Sequence, residues 1–279
     1  MQIGNHHFDL DHKSYIMGIL NVTPDSFSDG GSFVSPDDAL IRTEQMIRQG
    51  ASIIDVGGES TRPGYRMISD AEETERIAPV LERIRREFDV ALSLDTYKYE
   101  VARAGIAAGA DMINDIWGLR WDDRLAGLIA REGVAYCLMH NRKKPCTDHF
   151  YARFCEDIDG SLAIAKKAGI SPDKIILDPG IGFGKTYEQN LWLLRELGRM
   201  NRWGLPLLLG TSRKSVVGIT LDLPVGEREE GTIATTVLGR RQGVSLFRVH
   251  DVEKNIRALR MTDAILEAGL SENGPEGAV

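Results

Sequence analysis

Short apolar runs alternate along the chain with longer segments in which apolar residues recur at helical spacing. Most of the runs are continuous rather than alternately polar, which is typical of strands buried on both faces of a parallel sheet. The runs predict strands at Ile16–Leu20, Ser52–Val56, Ala91–Leu94, Met112–Ile113, Val134–Met139, Ile175–Leu177, Pro206–Leu209 and Leu246–Val249.

The segments between these runs predict helices, and several carry start and stop signals. Ser69 precedes an acidic first turn, as an N-cap residue does, while Gly133 and Gly169 follow helix ends. The predicted helices are Asp37–Gln49, Ala71–Phe88, Tyr99–Ala108, Asp122–Arg131, Asp157–Ala168, Glu188–Met200, Glu229–Arg241 and Val252–Ala268.

Repeated β–α units with no linker between them predict a single α/β domain, a (β/α)8 TIM barrel. An open doubly wound sheet is the alternative, because periodicity along a chain does not show whether the outermost strands meet. Residues 1–14 are predicted to cap the bottom of the barrel and residues 15–268 to form it. Residues 269–279, rich in glycine and polar side chains, are predicted to be a flexible tail.

Composition supports a globular protein. The 279 residues suit one barrel, and 42% are apolar and 27% charged. A formal net charge of −7 argues against a nucleic-acid or membrane-surface partner. The sequence contains no apolar run long enough to cross a bilayer, and its first residues lack signal-peptide features. Three cysteines without CxxC spacing indicate neither a disulfide framework nor a zinc site, so we expect a cytoplasmic protein.

Polar residues stand at or just beyond the carboxyl ends of the predicted strands. In a (β/α)8 barrel these ends surround the active site. A single aspartate there often only caps the next helix, but so many polar residues on one rim predict a functional site. They are Asn21, Asp55, Asp95, Asn114, Asp115, His140, Asp178, Thr211, Ser212, Arg213, Lys214, Arg248 and His250.

These residues divide by charge along the chain. Arg213, Lys214, Arg248 and His250 follow the last two strands, where barrels often bind phosphate, and Arg62 is expected to join them. The acidic and amide side chains suit hydrogen bonds to a heterocycle better than contact with a phosphate, which the carboxylates would repel. We therefore expect a substrate with a polar ring at one end and a phosphoryl group at the other. The acidic and amide residues are Asp55, Asp95, Asn114 and Asp178.

The glycine-rich stretch Asp178–Thr186 resembles a phosphate-binding P-loop but departs from that motif. Pro179 stands where the first P-loop glycine belongs, and Lys185 breaks the dinucleotide-binding spacing. The glycines are instead expected to turn the backbone under a flat ligand, with Phe183 stacking on it.

The roles of two basic side chains, Lys214 and His140, need separate interpretation. Lys214 is interpreted as an anion clamp, and a Schiff-base lysine, as in barrel aldolases, is the alternative. His140 is predicted to be structural, because no second metal ligand stands at a convincing spacing from it.

Eight motifs, in this order, carry a resemblance to a known family: GILNVTPDSFSDGG, IDVGGESTRPG, LSLDTYK, INDIWG, LMHNR, ILDPGIGFGK, GTSRKS and RVHDV. From about Tyr15 to Ala268 the sequence resembles the dihydropteroate synthases, pterin-binding barrel enzymes of folate biosynthesis. The resemblance implies condensation of (7,8-dihydropterin-6-yl)methyl diphosphate with 4-aminobenzoate to give 7,8-dihydropteroate and diphosphate, assisted by Mg2+. Alternatives are a methyltetrahydrofolate-dependent methyltransferase and a non-catalytic pterin-binding paralogue.

The resemblance also implies residue roles, with diphosphate leaving first in a dissociative substitution. Catalytic roles fall to Asp95, Lys214, Arg248 and His250. Pterin binding falls to Asp95, Asn114, Ile116, Met139, Asp178, Phe183, Gly210 and Lys214. Diphosphate binding falls to Asn21, Thr61, Arg62, Arg248 and His250, with Asn21 also holding the metal. Aminobenzoate binding, which sulfonamides should contest, falls to Phe27, Thr61, Pro63 and Ser215.

The resemblance further implies a homodimer. An apolar stripe near the carboxyl end is expected to form either an interface or ordinary core packing. Its residues are Ile256, Leu259, Ala264, Ile265 and Leu266.

Overall fold

The computed structural model describes residues 1–23, 36–59 and 67–269. The predictions for Phe27, Thr61, Arg62 and Pro63 therefore lie outside the described residues, as does the predicted tail beyond residue 269. The other predicted site residues lie within them.

Eight parallel strands form the barrel, after an amino-terminal hairpin of β1 (Gln2–Ile3) and β2 (His6–His7). A bridge between Leu177 and Leu207 brings the two ends of the eight-stranded sheet together. The (β/α)8 prediction is confirmed, and the open-sheet alternative is wrong. The strands are β3 (Tyr15–Asn21), β4 (Ala51–Gly57), β5 (Ala91–Asp95), β6 (Met112–Asp115), β7 (Ala135–Met139), β8 (Ile175–Asp178), β9 (Leu208–Leu209) and β10 (Leu246–Val249). They pair in the order β8-β7-β6-β5-β4-β3-β10-β9.

The helices of the described chain pack around the barrel. They are α1 (Pro36–Gln49), α2 (Asp70–Glu87), α3 (Tyr99–Ala107), α4 (Arg124–Glu132), α5 (Phe150–Ala168), α6 (Tyr187–Arg195), α7 (Ser215–Leu221), α8 (Glu229–Arg241) and α9 (Val252–Glu267). Across residues 1–23, 36–59 and 67–269, no helix has the length and apolar character needed to cross a membrane.

The predicted helix Glu188–Met200 ends at Arg195 and is followed by a 3-10 helix, Leu197–Trp203. Two further differences concern α7 and α5. The sequence does not predict α7, because its seven residues are too few to show a helical period clearly. Helix α5 begins at Phe150 rather than at Asp157, so the loop after β7 is shorter than expected. Each of these two differences lies beside the carboxyl rim of the barrel.

Apolar side chains fill the amino-terminal end of the barrel. Ile3, Phe8 and Leu10 of the amino-terminal segment pack against residues near the starts of the strands, including Met17 and Ile53. A second, larger core lies between the strands and the surrounding helices. Because the bottom and the outside of the barrel are both apolar, the polar strand ends gather at the opposite rim.

Candidate active site

Strand register places three of the predicted rim positions, Asn21, Asp95 and Asn114, in one row with Gly57. Asn21 of β3 is paired with Gly57 of β4, Gly57 with Asp95 of β5, and Asp95 with Asn114 of β6. A methyl group at Gly57 would lie 3.5 Å from Asn21 Oδ1 and 3.6 Å from Asp95 Cβ. Both side chains therefore border Gly57, one on each side of β4.

Arg248 reaches from β10 into the barrel and joins two carboxylates. Its Nε donates to Asp55 Oδ2 at 2.6 Å, and its Nη2 donates to Asp95 Oδ2 at 2.7 Å. Asn114 Nδ2 also donates to Asp55 Oδ2, at 3.2 Å. The sequence predicts Arg248 among the diphosphate cations, separate from the carboxylates; the structure shows that the guanidinium and both carboxylates form one cluster.

This cluster retains unused hydrogen-bond acceptors. Oδ1 of Asp55 and Oδ1 of Asp95 are buried and accept no hydrogen bond from the described residues. A buried polar atom without a partner is costly, so each oxygen is suited to accept an N–H from a ligand. Burial raises the pKa of Asp95. The charge of the neighbouring Asp55 adds to this rise, whereas the charge of Arg248 opposes it. The paired guanidinium limits this rise in the pKa of Asp95 without cancelling it.

Asp178 and Lys214 face each other around Gly210. A methyl group at Gly210 would lie 3.8 Å from Lys214 Nζ and 3.9 Å from Asp178 Oδ2. Lys214 Nζ donates to the Ile181 carbonyl at 2.6 Å and lies 4.7 Å from the centre of the Phe183 ring. Burial lowers the pKa of Lys214 to about 8, and Asp178 counteracts part of that change. Lys214 is therefore mainly an ammonium at neutral pH.

An apolar slot lies beside these polar groups. Tyr97, Ile116 and Met139 form a separate buried cluster, against which Trp117 and Phe183 pack. Flat apolar and aromatic surfaces next to hydrogen-bond acceptors suit a planar heterocycle. The sequence-based assignment of the slot misses Tyr97, although its place two residues after Asp95 was a usable signal.

Asp115, also at the end of β6, does not belong to this slot. Its carboxylate accepts hydrogen bonds from the backbone N–H groups of Trp117 and Leu119 and from the hydroxyl of Tyr136. Burial raises the pKa of Asp115, and these hydrogen bonds oppose the rise. Asp115 shapes the following turn.

Lys185 holds the glycine-rich loop after β8. Lys185 Nζ donates to the carbonyls of Gly180 at 2.8 Å and Phe183 at 3.0 Å, and to His140 Nδ1 at 2.9 Å. Gly180 has φ 67°, and a side chain there would collide with the His140 carbonyl. The rejection of the P-loop interpretation is thus supported by the role of its lysine.

His140 is a buried structural residue, as predicted. Its Nε2 lies 3.0 Å from Asp157 Oδ2, while its Nδ1 accepts from Lys185. Burial and the charge of Lys185 lower the pKa of His140 to about 4. The imidazole is therefore neutral at physiological pH, with Nδ1 as acceptor and Nε2–H as donor.

We expect His140 to make the folded state less stable in acid. Its pKa is lower in the folded protein (about 4) than the usual 6.5, so the unfolded chain binds the proton more readily between these values. Its contribution, about 3 kcal/mol, is complete above pH 6.5 and is lost as the pH falls towards 4.

Urea unfolding of wild type and His140→Gln at several pH values isolates this contribution. The difference in unfolding free energy between the two proteins should shrink as the pH falls from 6.5 to 4, because glutamine does not titrate. A difference that stays constant over this range would show that His140 does not titrate as described.

His250 and Ser215 stand at the mouth of the site. Ser212 Oγ lies 2.9 Å from His250 Nδ1 and accepts the His250 backbone N–H at 3.2 Å, which orients the imidazole. Ser215 is exposed at the start of α7. Arg213 is exposed and has φ 59°.

The rim offers limited protein ligation for a divalent cation. Within residues 1–23, 36–59 and 67–269, no cluster of three or more His, Cys, Asp or Glu side chains could hold a metal ion. Mg2+ characteristically uses one or two protein oxygens, water and substrate phosphates. The partly exposed Asn21 Oδ1 fits a metal held mainly by a substrate diphosphate.

Comparison with known proteins identifies the family of this chain. Residues 17–250 match the model of the family described as pterin binding enzyme. The dihydropteroate synthase of Clostridium beijerinckii is 51% identical over 267 residues, covering 95% of this chain and 99% of that protein.

Solved structures give the same relationship. A Clostridium difficile dihydropteroate synthase, crystallised in the presence of pteroic acid, is 48% identical with a TM-score of 0.91, covering 94% of this chain and 100% of that one. A Yersinia pestis dihydropteroate synthase in a sulfonamide complex is 39% identical, with a TM-score of 0.91. The match covers 96% of this chain and 99% of that one. The protein described here therefore belongs to the pterin-binding enzymes and, within them, to the dihydropteroate synthases.

Proposed function

We propose that the carboxyl rim of the barrel joins (7,8-dihydropterin-6-yl)methyl diphosphate to 4-aminobenzoate, as expected of a dihydropteroate synthase, a transferase of folate biosynthesis. The observation that carries this assignment is a pair of buried acceptors beside an apolar slot, Oδ1 of Asp55 and Oδ1 of Asp95. The relatives crystallised with pteroic acid and with a sulfonamide support the two ends of the substrate pair.

The dihydropterin ring would lie in the slot with its edge towards the carboxylates. Asp178 and Asn114 would hydrogen-bond its amino group and ring N–H edge, and Asp95 would contact the other part of the ring. Ile116, Met139 and Phe183 would cover its faces. A charge-assisted hydrogen bond of this kind contributes about 1.5–3 kcal/mol, enough to orient a flat ligand.

The leaving diphosphate belongs at the cationic side of the rim. Lys214 and His250 would contact it, and Nη1 of Arg248, which has no hydrogen-bond partner among the described residues, is available to it. Asn21 would hold Mg2+ together with the diphosphate. When bound, Mg2+ neutralises charge on the leaving group. Thr61 and Arg62, which lie outside the described residues, would complete this side.

The reaction proceeds by dissociative substitution at the methylene carbon. The electron-rich dihydropterin stabilises the cation that forms as diphosphate departs, and the nearby Asp95 carboxylate favours that positive charge. Lys214 stabilises the negative charge on the departing group. The aromatic amine of the acceptor is neutral at pH 7 and attacks without a strong general base. Ser215, with Phe27 and Pro63 outside the described residues, would shape the acceptor position.

Aminobenzoate-dependent release of diphosphate tests this function. Purified protein is supplied with the pterin diphosphate, with and without 4-aminobenzoate and Mg2+, and both diphosphate and dihydropteroate are measured. Equal amounts of the two products are expected, with competitive inhibition by a sulfonamide. Pterin binding without turnover would identify a silent paralogue, whereas methyl transfer from methyltetrahydrofolate would identify the methyltransferase alternative.

We also propose that the protein is a homodimer. The predicted apolar stripe on α9 has two parts. Ile256 and Leu259 pack on the core, whereas Ile265 and Leu266 are exposed. Helices α6, α7, α8 and α9 are neighbours, since α6 contacts α7, α7 contacts α8 and α8 contacts α9. Exposed apolar side chains on these four helices support an interface there. They are Leu191, Ile219, Leu221, Val237, Leu238, Met261, Ile265 and Leu266.

A solution mass near twice the 30.9 kDa of one chain is expected by sedimentation equilibrium. Leu238→Glu should shift the protein to the mass of one chain, because it puts a charge into the proposed interface. Ile41→Glu, at an exposed apolar position on α1, is the matched control and should leave the mass unchanged. A wild-type mass of 30.9 kDa would rule out the dimer.

A further inference from the structure

A buried ion network lies behind the pterin slot and takes no part in the chemistry described above. Lys98 Nζ donates to Glu59 Oε2 at 2.8 Å, to Glu73 Oε2 at 2.7 Å and to the Ile68 carbonyl at 2.9 Å. The three charged residues are each at most 5% exposed. All three ammonium hydrogens are therefore used, and two carboxylates share one cation away from water.

The network joins three elements rather than one. Glu59 follows β4, Glu73 lies in the first turn of α2, and Lys98 directly precedes α3. Burial lowers the pKa of Lys98, but its hydrogen bonds to Glu59 and Glu73 outweigh this effect and raise the pKa overall. Because desolvation offsets much of the attraction within a buried ion pair, such a network is weak support for stability. What it does define is the relative position of the three elements.

Glu59 connects the ion network to the slot through a hydrogen bond from Tyr97. Its Oε1 accepts the hydroxyl of Tyr97 at 2.8 Å, and its Oε2 accepts the backbone N–H of Ile68 as well as Lys98. Tyr97 lies two residues after Asp95, and its ring belongs to the buried cluster with Ile116 and Met139. A side chain from the loop after β4 thus fixes an aromatic wall carried by the loop after β5.

We propose that Glu59 and Lys98 are positioning residues for pterin recognition, acting through the hydroxyl of Tyr97. This inference rests on the proposed placement of the pterin in the slot. Lys98 orients and charge-compensates Glu59, and Glu59 holds the Tyr97 ring at the distance that a flat heterocycle requires. Loss of either contact should weaken binding of the pterin substrate more than binding of the acceptor.

Tyr97→Phe is the mildest test, since it removes one hydroxyl and keeps the ring. We expect KM for the pterin diphosphate to rise roughly 3- to 10-fold, as for loss of one buried hydrogen bond, with kcat and KM for 4-aminobenzoate within about 2-fold. Lys98→Met should raise the same KM at least as much, and Lys98→Arg should recover part of the loss. Glu72→Gln is the matched control, because Glu72 lies beside Glu73 but is exposed and pairs with Arg76.

Several outcomes would overturn the proposal. One is an unchanged pterin KM in Tyr97→Phe, and another is an equal rise in both KM values, which would indicate general loosening. A lower melting temperature with normal kinetics would show a structural role only. If Lys98→Met does not fold, Tyr97→Phe decides the matter. If wild type lacks turnover, the proposed function fails separately, and calorimetric titration of wild type and Tyr97→Phe with the pterin diphosphate still tests the positioning role.

Discussion

Asp178→Asn should lower kcat/KM for the pterin diphosphate by roughly 10²-fold or more. Oδ1 of Asp178 accepts the backbone N–H of Gly180 at 2.7 Å, which leaves Oδ2 for the ligand. If the asparagine oxygen keeps the Gly180 hydrogen bond, its amide N–H2 faces the amino group and ring N–H of the pterin. Two donors then oppose each other in a buried site, and the charge that attracted them is lost.

Steady-state kinetics and calorimetric binding of the pterin diphosphate both measure this effect. Asp173→Asn is the matched control, because Asp173 stands just before β8 on the exposed surface and bonds only Ser171 among the described residues. It should leave both measurements unchanged. Pterin binding by Asp178→Asn at the wild-type affinity would disprove the proposed orientation of the ring.

Lys214→Ala should reduce kcat by a factor on the order of 10² or more, since it removes a positive charge from a partly buried site where diphosphate leaves. The Phe183 ring also loses its cationic neighbour, so pterin binding should weaken as well.

In wild type, kcat/KM should fall as the pH rises through about 8, because the Lys214 ammonium that stabilises the leaving group then loses its proton.

Diphosphate release between pH 6 and 10 measures both effects. Lys167→Ala, an exposed lysine in the last turn of α5, is the control for removing one positive charge from the surface, and it should retain wild-type activity. Near-normal turnover by Lys214→Ala would show that Lys214 does not clamp the anion. Trapping of Lys214 by borohydride in the presence of substrate would instead support the Schiff-base alternative.

The local pattern of the chain is sufficient to predict most of the barrel. Continuous apolar runs predict strands covered on both faces, and only such strands build a parallel barrel. The carboxyl end of each strand is known once the strand is placed, so Asp95, Asn114 and Asp178 could be assigned to one rim without coordinates. Helix α7 escaped prediction because short apolar segments fit a strand and a helix equally well.

The sequence by itself determined the fold class, the rim and the chemical character of its side chains, because these follow from periodicity and from residue type. Tertiary structure alone decided which of these side chains meet. Arg248 binds Asp55 and Asp95 across more than 150 positions of sequence, and Lys98 joins Glu59 to Glu73 behind Tyr97. Such pairings depend on barrel closure and strand register, which no local pattern contains. The unpaired oxygens that remain after these pairings mark where the ligand must donate.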